Sequence, residues 1–329
     1  MEMKELVKNF PKQLKEAVEI ASNAQLGKIN SEVRNVVIAG LGGSGIGGSI
    51  AAELAFPVCT VPVNVVKGYF IPHYVNKYSL VVVSSYSGNT EETIACMKQA
   101  IDNGATVCCI TSGGAVSEFA REHKLPLILI PGGMPPRACV GYSLTQLVRI
   151  FTHFDLLPAT QIEVISKAAD VLLAEQKDIV EQTSVLAKQI LGKTPVIYCT
   201  TPYEGVAVRL RQQLNENSKI LCWHHVIPEM NHNELVGWAG GNEEAAVIFL
   251  NDKEDYERNL YRMELNRQII SKYTPHILDI NAKGNDLLTK YIYFIHFGDW
   301  LSVELAALRG VDAVEVNVIN FLKGELNKR

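Results

Sequence analysis

Two stretches carry residue types suited to chemistry at an anion. The first is Gly40-Leu41-Gly42-Gly43-Ser44-Gly45-Ile46-Gly47-Gly48-Ser49, which follows the apolar run Val36-Val37-Ile38-Ala39 and leads into an alanine-rich, helix-favouring run from Ser49 to Leu54. A strand, a tight turn and a helix start leave backbone N–H groups facing outward, where the helix dipole favours negative charge. Glycine at 43 allows close approach of a ligand, and Ser44 adds a hydroxyl donor. The second stretch is Ser84-Ser85-Tyr86-Ser87-Gly88-Asn89-Thr90-Glu91-Glu92-Thr93. Capping a helix needs one hydroxyl, whereas Ser85, Ser87 and Thr90 crowd a single turn. A neutral cradle of hydroxyls and N–H groups suits a phosphate monoester, and the expectation is a phosphorylated sugar. The plain alternatives are a glycine turn that only connects two elements and an ordinary helix cap.

Other chemistries fit less well. Gly40-Leu41-Gly42-Gly43-Ser44-Gly45 matches the dinucleotide fingerprint, but the end of the next strand, Val65-Val66-Lys67-Gly68, offers no acid to grip a ribose. A P-loop would need a Lys-Ser/Thr pair after the glycines. His224, His225, Glu229, His232 and Glu234 crowd one segment and leave a metal site as an alternative, although their spacing matches no zinc helix pattern. The chain has 329 residues, 47% hydrophobic and 20% charged, with a net charge of −4 and no long basic run, so no nucleic-acid partner is expected. No apolar run reaches the roughly 18 residues of a membrane span. Met1 to Ala21 is charged and amphipathic without a signal-peptide core, so the expected compartment is the cytoplasm. Seven cysteines, Cys108 and Cys109 adjacent and none in a CxxC pair, point to buried reduced thiols.

The elements that must position these residues alternate. Met1 to Lys28 reads as helix, followed by strands at Val33–Ala39, Val61–Val66, Leu80–Ser84, Thr106–Thr111 and Leu127–Ile130, with helices at Thr90–Asp102 and Ala115–His123. Continuous β-branched runs indicate strands covered on both faces, hence an α/β fold with doubly wound parallel sheets. A long helix, about Thr160 to Leu191, reads as the connector to a second α/β half. There, strands at Val196–Cys199, Ala246–Leu250 and Ile277–Ile280 alternate with helices at Tyr203–Asn217 and Asp286–Leu308, and Val316–Leu326 forms a tail helix. The expected domains are 1–156 and 157–329.

Five motifs occur in order: Gly42-Gly43-Ser44-Gly45; Ser85-Tyr86-Ser87-Gly88-Asn89-Thr90-Glu91-Glu92-Thr93; Pro135-Pro136-Arg137 with Gly141-Tyr142-Ser143; Asn215-Glu216-Asn217-Ser218-Lys219; and Pro228-Glu229-Met230-Asn231-His232-Asn233-Glu234. Together they resemble the bifunctional phosphoglucose/phosphomannose isomerases of archaea and bacteria, over nearly the whole chain. The resemblance implies two sugar isomerase (SIS) domains, a homodimer, and isomerisation of aldose and ketose 6-phosphates with neither metal nor cofactor. It implies that Gly43, Ser44, Ser85, Ser87 and Thr90 line the substrate.

Moving a proton between C1 and C2 through a cis-enediol requires a base, a ring-opening group and an enediolate stabiliser. Glu216 is the candidate base, near a helix C-terminus whose dipole favours proton uptake by a carboxylate; the alternative is a solvated helix-end acid. Gln213, three residues earlier on a similar face, would disable the reaction if the base belonged there. The resemblance implies that His232 opens the ring, within its own subunit or across the dimer; otherwise it is a structural histidine. Arg137, stiffened by two prolines, fits a fixed cation near the enediolate, against the alternative of a surface arginine. Lys323 enters only through the family's habit of folding its tail over the site. The expected reaction interconverts glucose 6-phosphate and fructose 6-phosphate, with mannose 6-phosphate as a second aldose. The alternatives are a non-catalytic sugar-phosphate sensor and an SIS isomerase of another phosphosugar.

Overall fold

A computed structural model describes residues 2–27, 32–326 and 328. Met1 and Lys28, the ends of the expected first helix, lie outside them. Between those ends the expected helix is two helices, α1 (Met3–Lys8) and α2 (Phe10–Asn23). Pro11 lacks an N–H and is accommodated only in a first turn, so a new helix starts there.

The chain divides into two compact units. The first comprises Asn9–Ala174 and Lys283–Tyr293. It contains β1 (Asn35–Ala39), α3 (Gly42–Ala55), β2 (Val63–Val66), β3 (Ser79–Ser85), α4 (Glu91–Asp102), β4 (Thr106–Thr111), α5 (Gly114–Glu122), β5 (Leu127–Leu129) and α6 (Val140–His153). The strands form a parallel sheet in the order β2-β1-β3-β4-β5. Ile38 pairs with Val65 on one side and Val82 on the other, and every residue of β3 is buried. Val37, Val81, Val83, Met97 and Val116 form the core on one face. The glycine run is not a loop: it forms the first turns of α3. A Cβ at Gly45 would lie 2.5 Å from the Gly40 carbonyl, and one at Gly48 2.9 Å from Ile38 Cγ2. Only glycine lets this helix press so closely on β1.

The second unit comprises Met1–Lys8, Glu175–Ala282 and Phe294–Arg329. α7 (Gln161–Ile190) separates the two sheets in sequence, and the division between units falls within it. Then come β6 (Thr194–Thr200), α8 (Glu204–Glu216), β7 (Trp223–Ile227), α9 (Glu234–Gly237), β8 (Ala245–Asn251), α10 (Glu257–Ile270), β9 (Ile277–Asn281), α11 (Leu287–Arg309) and α12 (Asn317–Leu326). This sheet is also parallel, in the order β7-β6-β8-β9. Val196, Tyr198, Val247, Phe249 and Met263 fill its core. Both sheets are doubly wound, as the continuous β-branched runs require. No helix among the described residues is long and apolar enough to cross a membrane.

Candidate active site

In the first unit β2 and β3 flank β1, so the chain changes direction of travel between the C-terminal ends of β1 and β3. Open α/β sheets bind ligands at such a switch point. The two sequence motifs meet there. The backbone N–H of Tyr86 donates to Ser44 Oγ at 3.1 Å, and a Cβ on Gly40 would stand 2.8 Å from the Ser84 carbonyl. Ser85 Oγ donates to Thr90 Oγ1 at 3.1 Å, and Ser87 Oγ accepts from the Asn89 N–H at 3.3 Å. Thr90 occupies the N-cap of α4 but makes no side-chain cap. Its hydroxyl is turned to Ser85 instead, and the first-turn N–H groups of α4 are left for another acceptor.

Arg137 joins the same cluster. A Cβ on Gly43 would lie 2.8 Å from the Pro136 carbonyl, so the glycine helix start packs on the 3-10 turn Pro136–Ala138. Arg137 is only 5% exposed, which excludes the ordinary surface arginine. Tyr86, not singled out from sequence, ties these parts together: its hydroxyl accepts from the Met134 N–H at 3.2 Å, and burial raises its pKa. Gly113 and Gly114 were also missed. Val116 N–H donates to the Gly88 carbonyl at 2.9 Å and Ala115 N–H to Asn89 Oδ1 at 3.0 Å, so the glycine pair after β4 braces the serine turn. The signal was available, because Thr111-Ser112-Gly113-Gly114 repeats the pattern of a strand ending in hydroxyls and glycine.

In the second unit Glu216 is the last residue of α8 and is partly exposed. Gln213 is buried, and its Nε2 donates to Asp299 Oδ1 at 2.8 Å while Arg209 Nη2 holds Asp299 Oδ2 at 2.7 Å. Burial raises the Asp299 carboxyl pKa, and Arg209 and Gln213 pull it back down. Asn217 Nδ2 donates to Ser302 Oγ at 2.9 Å and Ser218 Oγ to the Ser302 carbonyl at 2.7 Å, so α11 clamps the end of α8. Gln213 therefore serves the core, while the Glu216 side chain at the helix end is partly exposed.

His232 is exposed, in the 3-10 turn Glu229–His232 that follows β7. Its segment is pinned by Glu234, which accepts from Tyr198 Oη at 2.5 Å and Trp223 Nε1 at 3.1 Å, and by Asn231, which donates to Asn266 Oδ1 at 2.6 Å. α8 returns from the C-terminal end of β6 to the N-terminal end of parallel β7, so Glu216 and His232 lie at opposite ends of this sheet. The 13 residues of α8 alone span about 20 Å. One copy of this unit does not bring the two together. His224, beside Arg211 Nη1 at 3.3 Å, is shifted below the usual histidine pKa by burial and by that cation. Lys323 is exposed on α12, which buries no residue. Among the described residues no group of three His, Cys, Asp or Glu side chains is arranged to hold a metal ion.

Residues 179–326 match the family described as the bacterial phospho-glucose isomerase C-terminal SIS domain. A bifunctional phosphoglucose/phosphomannose isomerase from Caldicellulosiruptor bescii is 36% identical, over 98% of this chain and 98% of its own. The chain belongs to the bifunctional phosphoglucose/phosphomannose isomerase family. Another isomerase of the family, from Thermoplasma acidophilum, is 36% identical over 89% of this chain and 90% of its own. In fold the chain is similar to the C-terminal domain of glucosamine-fructose-6-phosphate aminotransferase from Francisella tularensis, with a TM-score of 0.75 at 15% identity, covering 95% of this chain and 98% of that domain. In this phosphoglucose/phosphomannose isomerase family member, hydroxyls, N–H groups and the buried Arg137 gather in one unit, and the partly exposed Glu216 sits at a clamped helix end in the other.

Proposed function

We propose that this chain interconverts glucose 6-phosphate and fructose 6-phosphate through a cis-enediol, with mannose 6-phosphate as a second aldose. The observation that carries this reading is the identity to the Caldicellulosiruptor isomerase along the full chain, through both sheets. In the proposed mechanism Gly43, Ser44, Ser85, Ser87 and Thr90 hold the phosphate. His232 gives a proton to the ring oxygen as the C1 hydroxyl loses one, which opens the sugar. Glu216 then takes the proton from C2, the electron pair forms the C1–C2 double bond, and the carbonyl oxygen at C1 gains charge that Arg137 balances. Moving the O2 hydroxyl proton to O1 and returning the proton to C1, as the C2 carbonyl forms, gives the ketose. The reaction is internally redox-balanced, so proton transfers complete it. The planar enediol erases the C2 configuration, which opens the same base to both aldoses. Lys323 is assigned to this set through the family resemblance alone.

The cradle lies in residues 1–156 and the proton-transfer groups in 157–329, the two functional halves. Because one copy keeps Glu216 and His232 at opposite ends of a sheet, the reading includes a homodimer in which a second copy supplies His232. Five buried thiols and a phosphorylated metabolite fit a cytoplasmic setting. The test is Glu216→Gln, with a fall in turnover of about 10²–10⁴-fold expected. Equal mixing of Glu216→Gln and His232→Ala chains restores about a quarter of wild-type activity if sites are shared across a dimer. Near-normal turnover in Glu216→Gln overturns the base assignment. Wild-type protein that binds fructose 6-phosphate yet exchanges no solvent hydrogen at C2 of glucose 6-phosphate overturns the enzyme.

A further inference from the structure

Lys219 sits three residues past the end of α8, in a left-handed conformation with φ +57°. Helices commonly end on a residue of this conformation, and glycine is the usual choice because any side chain there is strained. A lysine kept at such a position calls for a use of its side chain, and the contacts supply one. Lys219 Nζ donates to the carbonyl of Glu216 at 2.6 Å and to the carbonyl of Glu315 at 2.8 Å, and it lies 3.5 Å from Glu315 Oε1. Two of the ammonium's protons thus go to backbone carbonyls, and the Glu315 carboxylate adds an ion pair. Glu315 in turn starts the last helix: its Oε2 accepts from the Asn317 N–H at 2.9 Å, and that bond, the first cause, lowers its carboxyl pKa. α12 begins at Asn317 and carries Lys323. α12 buries none of its own residues, and the bond from Asn317 to Glu315 anchors its first residue.

We infer that Lys219 is a positioning residue that ties the peptide carrying the Glu216 carboxylate to the start of the C-terminal helix, so that base and tail move as one piece. The kinetic side of this inference rests on the isomerase reading; the mechanical side does not. Two carbonyls and a carboxylate held by one ammonium fix the Glu216 carbonyl, and a base misplaced by an ångström loses turnover more than affinity.

The experiment compares Lys219→Gly, Lys219→Met and Lys219→Arg with wild type. Measurements are steady-state rates with fructose 6-phosphate, melting temperature, and hydrogen exchange of peptides covering residues 317–326. Lys219→Gly relieves the backbone strain, so its melting temperature is expected to equal or exceed that of wild type. The expected kcat of the Gly and Met variants is about 10- to 100-fold lower, with KM within about twofold. Exchange at 317–326 is faster in both, and Lys219→Arg recovers most of each effect. Unchanged exchange in the Gly and Met variants overturns the tie. Faster exchange with kcat preserved overturns the positioning role. Wild-type protein inactive on both aldoses and on fructose 6-phosphate refutes the isomerase reading alone, and exchange then still decides the tie.

Discussion

In the first unit the charged residues buried as a whole are cations, Arg137 and Lys290, while Glu53 is partly buried with its Oε2 out of solvent. The second unit buries Asp252 and Asp299 together with Arg209 and His296. The contrast fits what the proposed function asks each half to hold. An anion cradle loses affinity with every nearby carboxylate, so hydroxyls, backbone N–H groups and one dry cation suit it. A proton-transfer half needs an ionisable group held steady at a helix end, and the side chains that hold it form a buried polar lattice. The first site is thus built from backbone and glycine, the second from long-range side-chain bonds.

If that distinction is right, the two halves break in different ways. The largest effect is expected in the lattice. Arg209→Met leaves Asp299 buried without its cation and lowers stability by about 4 kcal/mol in urea unfolding, while pairing it with Asp299→Leu recovers most of the loss. A cost below about 1 kcal/mol would mean the lattice does not hold the second unit. In the first unit the sensitive atoms are Cβ positions. Gly88 has φ +70°, and a Cβ there would stand 1.8 Å from the Gly113 carbonyl. Gly88→Ala is therefore expected to cost about 3 kcal/mol, from the left-handed backbone and overpacking together. Gly68→Ala is the control, since a Cβ there meets nothing within 4 Å, and it should stay within about 0.5 kcal/mol of wild type. Equal melting temperatures for the two alanine variants would remove the backbone argument.

Legibility in the sequence divides along the same line. β1, β3 and β4 were readable because burial on both faces leaves uninterrupted Val and Ile runs. β7 was not read as a strand: it is an edge strand, half-exposed, and its Trp223-His224-His225 start looks like a cluster of titrating groups. α6 is buried on nearly every side, polar residues included, and α10 buries Met263, Asn266 and Ile270 amid arginines and glutamates. α10 lacks the periodicity that marks a helix, whereas α6 carries it. In the site, the hydroxyl and glycine motifs were legible because each is contiguous. Arg137 was placed by its two prolines, but its burial was not. The Gln213–Asp299 and Lys219–Glu315 bonds join residues 86 and 96 positions apart, and no local pattern encodes them. Sequence alone therefore leaves Gln213 beside Glu216 as a candidate, and the Asp299 bond separates them.

The smallest of the expected effects concerns acid. His296 is buried in α11, and its Nε2 accepts from Trp300 Nε1 at 3.2 Å, which only a neutral ring can do. Burial lowers its pKa from 6.5 to about 3. A histidine depressed in the folded state binds its proton first in the unfolded chain, so its contribution is complete above pH 6.5 and is lost as the pH falls from there toward 3. Between pH 7 and pH 5 this amounts to about 2 kcal/mol. The first unit contains no buried histidine among its described residues, so acidification should loosen the second unit first. Hydrogen exchange at pH 5 is expected to rise in residues 294–309 while β1 and β3 stay protected. His296→Phe gives up the Trp300 bond, lowering stability at neutral pH, but should flatten the pH dependence. Should both units lose protection together at pH 5, or should His296→Phe keep the wild-type slope, the division of labour between a neutral cradle and an ionisable lattice would not extend to their stabilities.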